Sequence, residues 1–594
     1  MANSPIVEES NLTSYTISSA GKEIPATYEV RSIRIEQHVN RIAKAEITLI
    51  DGDTAKQNFP VAESATFKPG VKIEIKLGYN GLEDSIFKGI VVKQQLRVNE
   101  MSGSTIQIVC KDEAIKLTTN RKNNIYTKAK DSAVIEKIAG NAGLDKSVTA
   151  TTVEHEEVVQ YYATDWDFII NRAEINGMIV ITDSGKLTVA KPAVSASPDL
   201  KLQYGYDIIE FDGELDATYQ YSKVTSNAWD MSKQAMSSSD ASEPSVNKQG
   251  NITGKSLAEA VNIGTNLLNT SAPITESDLK VWAEAAFLKN RLSRFKGTAT
   301  FQGSSKAKPN TTIELNGLSE RFNGNAFISG VTHTLDAGRW NTEVQLGLSE
   351  NWFAESNRVN APEASGLLPG VKGLQTGIVK KIYDDPDNEF RVQVEIPVLG
   401  VDTETVWARL STFYNGNGIG AYFMPELNDE VILGFMNDDP RFPVILGSVF
   451  SSKIAAPETP DEKNTIKTLI TQSKLQIKFD DENKVITILT PGGNTMVFSD
   501  KDKGITITDQ SNNKIQMNTD GIVVESQSDL TLKAPQAVKI QGATITINGD
   551  QSIDATGGTV SVTGNQSTAI TGNAECSIKS SGQVEVQGLM VKIN

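Results

Sequence analysis

Residues 538–564 read VKIQGATITINGDQSIDATGGTVSVTG, and sequence of this kind fills the chain from about residue 465 to its end. Valine and isoleucine alternate with polar residues, which predicts short strands with one apolar side. Phe498 is the last aromatic residue, so these strands carry too little apolar surface for a globular core. They predict either a solenoid or several chains wound together, with the apolar sides facing a common axis.

The apolar positions of this alternation are the predicted core of the fibre. They are Ile505, Ile507, Val538, Ile540, Ile545, Ile547, Val560, Val562, Val584 and Val586. Residues between them, such as Ser561, are predicted to face solvent. The chain ends in a second apolar cluster, formed by Leu589, Met590, Val591 and Ile593. Several copies would expose this cluster at the tip of a fibre, which predicts a binding site; closure of the fibre on itself is the alternative.

The first 350 residues contain a weak repeat. A turn at 68–70 (KPG) precedes a strand at 73–75 (IEI), and a turn at 308–310 (KPN) precedes a strand at 313–315 (IEL). Phe87 and Phe327 follow these strands, and each lies 18 residues after its proline. The repeat predicts two similar antiparallel barrels.

Three helices are predicted within this strand-rich region. The first covers 131–144 with Asp131 as its N-cap, and the second covers 164–177 with a cap formed by Thr164 and Asp167. The third runs from about Ser277 to Arg294.

The stretch GLQTGIVKKIYDDPDNEFRVQVEIPVLG (373–400) and the stretch VWARLSTFYNGNGIGAYFMPELNDEVILGFMNDDPRFPVILGSVF (406–450) form a compact strand-rich region. It resembles the OB-fold domain of VgrG proteins, the spikes of type VI secretion systems, and of related phage-tail spikes. The matching elements are the strand at 406–409, Met424-Pro425, Asp439-Pro440 and the final strand up to Gly447. Residues 164–189 and 211–221 also look like parts of the VgrG hub.

The resemblance implies a mainly β protein with two tube-adaptor β-barrels, an OB-fold barrel and a C-terminal intertwined triple-stranded β-helix needle. The implied domains are a first hub barrel (1–115), an α/β insertion (116–200), a second hub barrel with a helical insertion around 255–295 (201–355), the OB-fold domain (370–450) and the needle (465–594). It also implies a homotrimer that joins a hexameric tube protein to a membrane-piercing needle. Further implied partners are baseplate proteins, a PAAR-like tip protein and effectors.

Composition excludes several other functions. The chain has 594 residues and a net charge of −16, and such an acidic surface repels nucleic acid. The three histidines, His38, His155 and His333, are not spaced as metal ligands, and no cofactor is expected. GNITGKS (250–256) is one residue too short for a phosphate-binding loop. The acidic clusters at 384–389 and 437–440 contain proline and predict turns, so no enzyme activity is expected.

The sequence leaves two other functions open: a β-solenoid tailspike enzyme that degrades polysaccharide, and an adhesive fibre. A solenoid enzyme needs aromatic platforms and clustered carboxylates, and no aromatic residue follows Phe498. An adhesive fibre fits the β-rich sequence but does not account for the OB-like region. No secretory signal or membrane-spanning segment is visible. The protein is therefore expected to be made and assembled in the cytoplasm and delivered within an injection particle. The residues do not distinguish a type VI system from an extracellular injection system or a phage-like tail.

Overall fold

The computed structural model describes residues 3–6, 12–101, 103–357, 359–400 and 404–593, so Asn594 of the predicted tip segment lies outside the described residues. The chain forms two compact units, Met1–Ser448 and Val449–Asn594.

The N-terminal part of the first unit is an antiparallel β structure around one apolar core. Its elements are β1 (Thr13–Ser19), β2 (Lys22–Glu23), β3 (Val30–His38), β4 (Lys44–Ile50), α1 (Pro60–Glu63), β5 (Lys72–Tyr79), β6 (Leu82–Asn99) and β7 (Gly103–Lys111). Alternate residues of these strands point inward, as in β4, where Ala45, Ile47 and Leu49 are buried.

A mixed α/β insertion follows. Its elements are β8 (Arg121–Lys130), α2 (Asp131–Asn141), β9 (Asp145–Val148), β10 (Glu154–Thr164), α3 (Asp165–Ile175), β11 (Ile179–Asp183) and β12 (Lys186–Ala190). Thr164 caps α3 by accepting a hydrogen bond from the Asp167 backbone, as predicted. The prediction that Asp131 caps α2 was wrong. Lys130 occupies the cap position, and the buried Asp131 carboxylate instead accepts both guanidinium bonds of Arg172, at 2.6 and 2.9 Å.

Replacing Arg172 with methionine is expected to destabilise this insertion by about 3–5 kcal/mol at neutral pH, because it leaves a buried carboxylate without its cation. Burial alone would raise the pKa of Asp131, but the bonds and charge of Arg172 hold that pKa below its ordinary 3.8. The stabilisation is therefore present above about pH 4 and is lost as the pH falls further, so the penalty should shrink in acid.

Thermal unfolding at pH 7 and at pH 3.5 measures the effect. Arg34→Met is the control, because it removes an exposed pair with Glu36 at 2.7 Å and should cost under about 1 kcal/mol. Equal losses in the two variants would contradict the prediction.

The second half of the hub region adds β13 (Leu200–Gln203), β14 (Ile208–Leu215), β15 (Lys223–Asp230), β16 (Ala235–Asp240), α4 (Gly254–Val261), β17 (Thr265–Thr270), α5 (Glu276–Leu292), β18 (Phe295–Gln302), β19 (Thr311–Asn316), β20 (Gly324–Asp336) and β21 (Arg339–Leu346). The third predicted helix corresponds to α5. This helix begins at Glu276, one residue before the predicted start, because Thr275 and Asp278 form a capping box.

One sheet of thirteen strands runs through both halves of this region. The halves meet where β20 pairs with β3, from Gly330 opposite His38 to Asp336 opposite Ser32. Each half keeps its own core, one around Ile35, Ile47 and Phe87 and the other around Phe301, Ile313 and Val331. The two cores explain why the sequence contains two similar strand patterns.

In both halves the turn and strand of the repeat belong to an antiparallel hairpin, β5–β6 in the first and β19–β20 in the second. The two phenylalanines, however, do not occupy equivalent positions. Phe87 lies opposite Ile75 and packs in the first core. Phe327 lies opposite Thr312 and packs in a separate cluster with Leu292. Because side chains alternate across a strand, the different pairing register sends Phe327 to the other face.

The end of the first unit is the OB-like region. Its elements are β22 (Gln375–Lys381), β23 (Val392–Glu395), β24 (Val406–Leu410), β25 (Asn415–Gly416), β26 (Ile419–Gly420), β27 (Glu430–Phe435) and β28 (Pro443–Ser448). The short helix α6 (Phe353–Ser356) precedes this region and packs through Phe353 against the core of the α/β insertion. Strands β22, β23, β24, β28 and β27 close into a five-stranded barrel. Val379, Val394, Ala408 and Leu433 fill its core, which agrees with an OB-type barrel.

The second unit begins with an open sheet of seven antiparallel strands, which we call the meander. Its strands are β29 (Ile466–Ile470), β30 (Gln476–Asp480), β31 (Val485–Leu489), β32 (Thr495–Ser499), β33 (Gly504–Thr508), β34 (Lys514–Asn518) and β35 (Gly521–Glu525). Each strand pairs with the next strand of the same chain. The described residues after Glu525, which we call the tail, contain bends but no strand or helix.

Candidate functional site

The meander carries one continuous apolar face. Directly opposite residues of antiparallel strands share a face, so the pairing defines rows that cross the sheet. One row is Leu469, Ile477, Ile488, Met496, Ile507, Ile515 and Val524, and the next is Lys467, Phe479, Ile486, Phe498, Ile505, Met517 and Ile522. We call these two rows the apolar face. Lys467, at the first strand, is its one charged member.

The opposite face of the meander is more polar. Its central row is Thr468, Lys478, Thr487, Val497, Thr506, Gln516 and Val523. On the apolar face, Phe479 is 42% exposed and Ile488 is 40% exposed, and no apolar residue of β29–β35 is buried within the chain. A sheet needs its apolar face covered to be stable in water, so the meander requires a partner surface.

The tail repeats a short pattern of bends. Bends occur at 527–528, 535–536, 543–544, 550–551, 558, 565–566, 573–574, 581–582 and 589. The bends are therefore seven or eight residues apart. Two positions, separated by one residue and mostly apolar, recur after each bend. They are Leu530/Leu532, Val538/Ile540, Ile545/Ile547, Ile553/Ala555, Val560/Val562, Thr568/Ile570, Cys576/Ile578, Val584/Val586 and Val591/Ile593.

The structure distributes the predicted core residues over both parts of the second unit. Ile505 and Ile507 lie on the apolar face of the meander. The other eight, Val538, Ile540, Ile545, Ile547, Val560, Val562, Val584 and Val586, occupy the repeated tail positions, and all are exposed within one chain. Leu530, Leu532, Ile553, Ile570 and Ile578 occupy equivalent positions but were not among the predicted core residues. Each lies two or four residues after a bend, and this spacing is the signal that identifies them.

The four predicted tip residues fall into two pairs. Leu589 and Met590 lie at and beside the last bend, whereas Val591 and Ile593 continue the repeated core positions. All four are exposed within one chain. The pattern therefore places Leu589 and Met590 at or beside a bend and Val591 and Ile593 at repeated positions.

Residues 250–256, which resemble a phosphate-binding loop in sequence, contact the buried side chain of Arg294. Arg294 donates to the backbone oxygens of Ile252 and Gln249, at 3.0 and 2.9 Å. The loop therefore turns carbonyl oxygens toward its centre, where a phosphate site needs N–H groups. Thr253 then caps α4 through the Ser256 backbone. The loop holds an arginine side chain, and its geometry is opposite to that of an anion site.

The remaining polar motifs are accounted for by internal contacts. Asp385 accepts hydrogen bonds from Arg391 and closes the acidic turn at 384–389. Asp439 pairs with Arg441 in the second acidic turn. Burial lowers the pKa of His333 to about 3, and this ring contacts Thr342 at 2.9 Å. Among the described residues, no three His, Cys, Asp or Glu side chains are grouped as metal ligands.

Within the described ranges, none of the helices combines the length and apolar character required to cross a bilayer.

Comparison with protein families gives two matches. The model of the Alg8 N-terminal domain matches residues 9–337, which is more than half of the chain. The model of the type VI secretion system/phage-baseplate injector OB domain matches residues 375–450, the region that contains the closed barrel.

Curated relatives match over shorter stretches. The type VI secretion system spike protein VgrG4b of Pseudomonas aeruginosa is 27% identical over 132 residues, covering 21% of this chain and 16% of that protein. The spike protein VgrG5 of the same organism is 30% identical over 103 residues, covering 16% of this chain and 13% of that protein. The chain thus spans less than a fifth of the length of these two relatives.

Solved structures of tail and spike proteins are also similar. The 43 kDa tail protein of prophage MuSo2 from Shewanella oneidensis has a TM-score of 0.43 and 12% identity, covering 57% of this chain and 99% of that chain. The E. coli c3393 protein, described as a component of the type VI secretion system, has a TM-score of 0.37 and 13% identity, covering 73% and 99%. From the family and sequence matches, the chain belongs to the Alg8 N-terminal domain family, contains a type VI secretion system/phage-baseplate injector OB domain and is similar to VgrG spike proteins.

Proposed function

We propose that this protein is the non-enzymatic homotrimeric hub-spike of a contractile injection system. The observation that carries the proposal is the apolar face of the meander, which spans seven strands and has no cover within the chain. Three copies would turn these faces toward one axis and remove them from water. The number three comes from the resemblance to VgrG spikes, and the free apolar face supports self-association.

The tail supports the same assembly. Ordering a residue costs about 1–2 kcal/mol in conformational entropy, and one copy of the tail forms no strand pairing to offset it. Its apolar positions recur two and four residues after each bend, or one and three residues after the bend at 543–544, so three winding chains would place the pairs near a common axis. The backbone groups would then pair between chains, which also removes free strand edges.

The hub region is proposed to adapt the spike to a tube. Each chain has two β cores within one continuous sheet. Three chains would supply six such halves, one for each subunit of a hexameric tube protein. The domain boundaries proposed above follow this division, with hub barrels at 1–115 and 201–355 and the needle at 465–594.

The proposed partners are the tube protein, baseplate proteins, effectors and a PAAR-like tip protein, and the assembled needle pierces the target membrane without binding it. Several of the relatives that match this chain are spike proteins, which supports a structural role and a baseplate location. The protein would be assembled in the cytoplasm and delivered within the injection particle.

Two measurements test the proposal: the mass of the purified chain by light scattering, and its binding to the tube protein of a contractile injection system. We expect three times the chain mass of 64.3 kDa and capture of the tube protein by the trimer. An adhesive fibre or tailspike enzyme would form a trimer without binding a tube protein. A folded monomer at micromolar concentration would overturn the proposal.

The tip of the needle gives a separate prediction. Deleting residues 588–594 should leave the trimer intact and abolish co-purification with a PAAR-like tip protein, because the exposed apolar end is removed. Leu589→Ser with Met590→Ser should have the same effect, whereas Ser580→Ala, on the preceding repeat, should not. Full capture of the tip protein by the truncated trimer would show that its binding surface lies elsewhere.

A further inference from the structure

The OB-type barrel presents an exposed hairpin that the proposed function does not use. The chain between β24 and β27 folds back on itself through β25 and β26. Five of its side chains are 57% to 88% exposed, namely Phe413, Tyr414, Ile419, Tyr422 and Phe423. We call this segment, residues 411–425, the aromatic hairpin. Soluble proteins rarely expose so many large apolar groups together unless another surface binds them.

The aromatic hairpin has a defined backbone. The Ala421 N–H donates to the Tyr414 oxygen at 2.9 Å, and the Thr412 hydroxyl donates to the Ala421 oxygen at 3.0 Å. Gly420 has a φ of 146°, and a Cβ there would lie 2.8 Å from the Tyr414 oxygen. Since the backbone is already ordered, binding through this hairpin would lose little conformational entropy.

The charge pattern of the hairpin indicates what binds it. No charged residue occurs from Ser411 to Pro425, although 22% of the chain is charged and its net charge is −16. Copies of such an acidic chain repel one another, and symmetry brings every like charge in an interface close to its own copies. An interface between copies therefore favours a segment without charge.

From these observations we propose that the aromatic hairpin packs against the barrel of a second copy of this chain. The inference rests on the proposed trimer, because the linker at 449–465 can span at most about 60 Å. If the copies are joined through their meanders, their barrels are held at a high local concentration. The hairpin would therefore contact the barrel of another copy more often than it contacts a partner that is free in solution.

A ring of three copies needs a second, different patch on each barrel. Met436, Phe442 and Leu446 provide exposed apolar side chains at the ends and outer side of β27 and β28. The hairpin of one copy would cover this patch on the next, which buries two exposed apolar surfaces in one contact.

Hydroxyl-radical footprinting of the full, unmodified chain tests the inference. In the trimer, Phe413, Tyr422 and Phe423 should be oxidised at least fivefold more slowly than Tyr383, an exposed tyrosine of the same barrel that lies outside the hairpin. In an Ile488→Asp chain that remains monomeric, the hairpin should be oxidised as fast as Tyr383.

The outcomes separate the inference from the proposed function. Equal oxidation of Tyr422 and Tyr383 in a confirmed trimer would overturn the hairpin contact and leave the trimer standing. Protection that persists in the monomer would also overturn it, because the cover would then come from the same chain. A wild-type chain that is monomeric would overturn the proposed function, and the hairpin inference with it.

Discussion

Replacing Ile488 with aspartate is expected to convert the assembly into monomers. Ile488 lies on the third of seven strands, between Ile477 and Met496 in one row of the apolar face. Three-fold symmetry would place three carboxylates against apolar surface with no cation available to pair with them. Burying unpaired charges costs several kcal/mol each, so dissociation is favoured over charge burial.

Light scattering of the purified variant measures this effect as a loss of two thirds of the particle mass. The matched control is Thr487→Asp, one residue away on the opposite face of the same strand. Thr487 lies directly opposite Lys478, so the new carboxylate gains a cation and should be tolerated. If the two variants had the same mass, the apolar face would not be the assembly surface.

Alternation along the chain predicts which residues share a face, but it does not say which chain supplies the neighbouring strand. Residues 466–525 and the tail have the same kind of alternation, yet only the former pair within the chain. The difference lies in the connections. Lys474, Lys484, Gly493, Lys503 and Asn512 have positive φ in the meander, which allows tight reversal between antiparallel strands.

The tail lacks such reversals. Among its described residues none has a positive φ, so its bends redirect the chain without folding one strand back on the previous one. Lysine is not a residue that predicts positive φ, which explains why the meander could not be separated from the tail by sequence alone. The alternation of the tail was nonetheless visible, and the eight predicted tail residues occupy repeated positions.

Contacts between distant segments were the least predictable part of the hub. The N-cap of α3 was predicted because Thr164 and Asp167 are three residues apart. The cap of α2 was not, because the Asp131 carboxylate is held by Arg172, which lies 41 residues further along the chain. The same limitation applies to Phe327, whose pairing register depends on the partner strand rather than on its spacing from a proline.

The exposed apolar surfaces were only partly predictable. The apolar cluster at 589–593 and the proposed core positions of the needle were predicted from local sequence alone. The aromatic hairpin does not, since its sequence reads as a glycine-rich loop, and only the closed barrel shows that its side chains have no core to enter. Exposure is a property of the fold, and alternation or composition alone cannot supply it.

The tail can be tested independently of the meander. Replacing Val562 with aspartate is expected to abolish the intertwined tail, because Val562 occupies a repeated core position and is 76% exposed within one chain. In the assembly its three copies would meet near the axis, where three carboxylates repel one another and lose their water. The meander would still hold the chains together, so the defect should appear as rapid proteolysis after residue 525.

Limited proteolysis followed by mass spectrometry measures this directly, with Ser561→Asp as the matched control. Ser561 lies between Val560 and Val562 and therefore points to the opposite side of the strand. Its aspartate should remain in solvent and leave the tail as resistant as in the unmodified protein. A sensitive Ser561→Asp tail beside a resistant Val562→Asp tail would mean that the register is shifted by one residue. Because side chains alternate strictly along a strand, that single shift would move every proposed core residue of the tail to the outside.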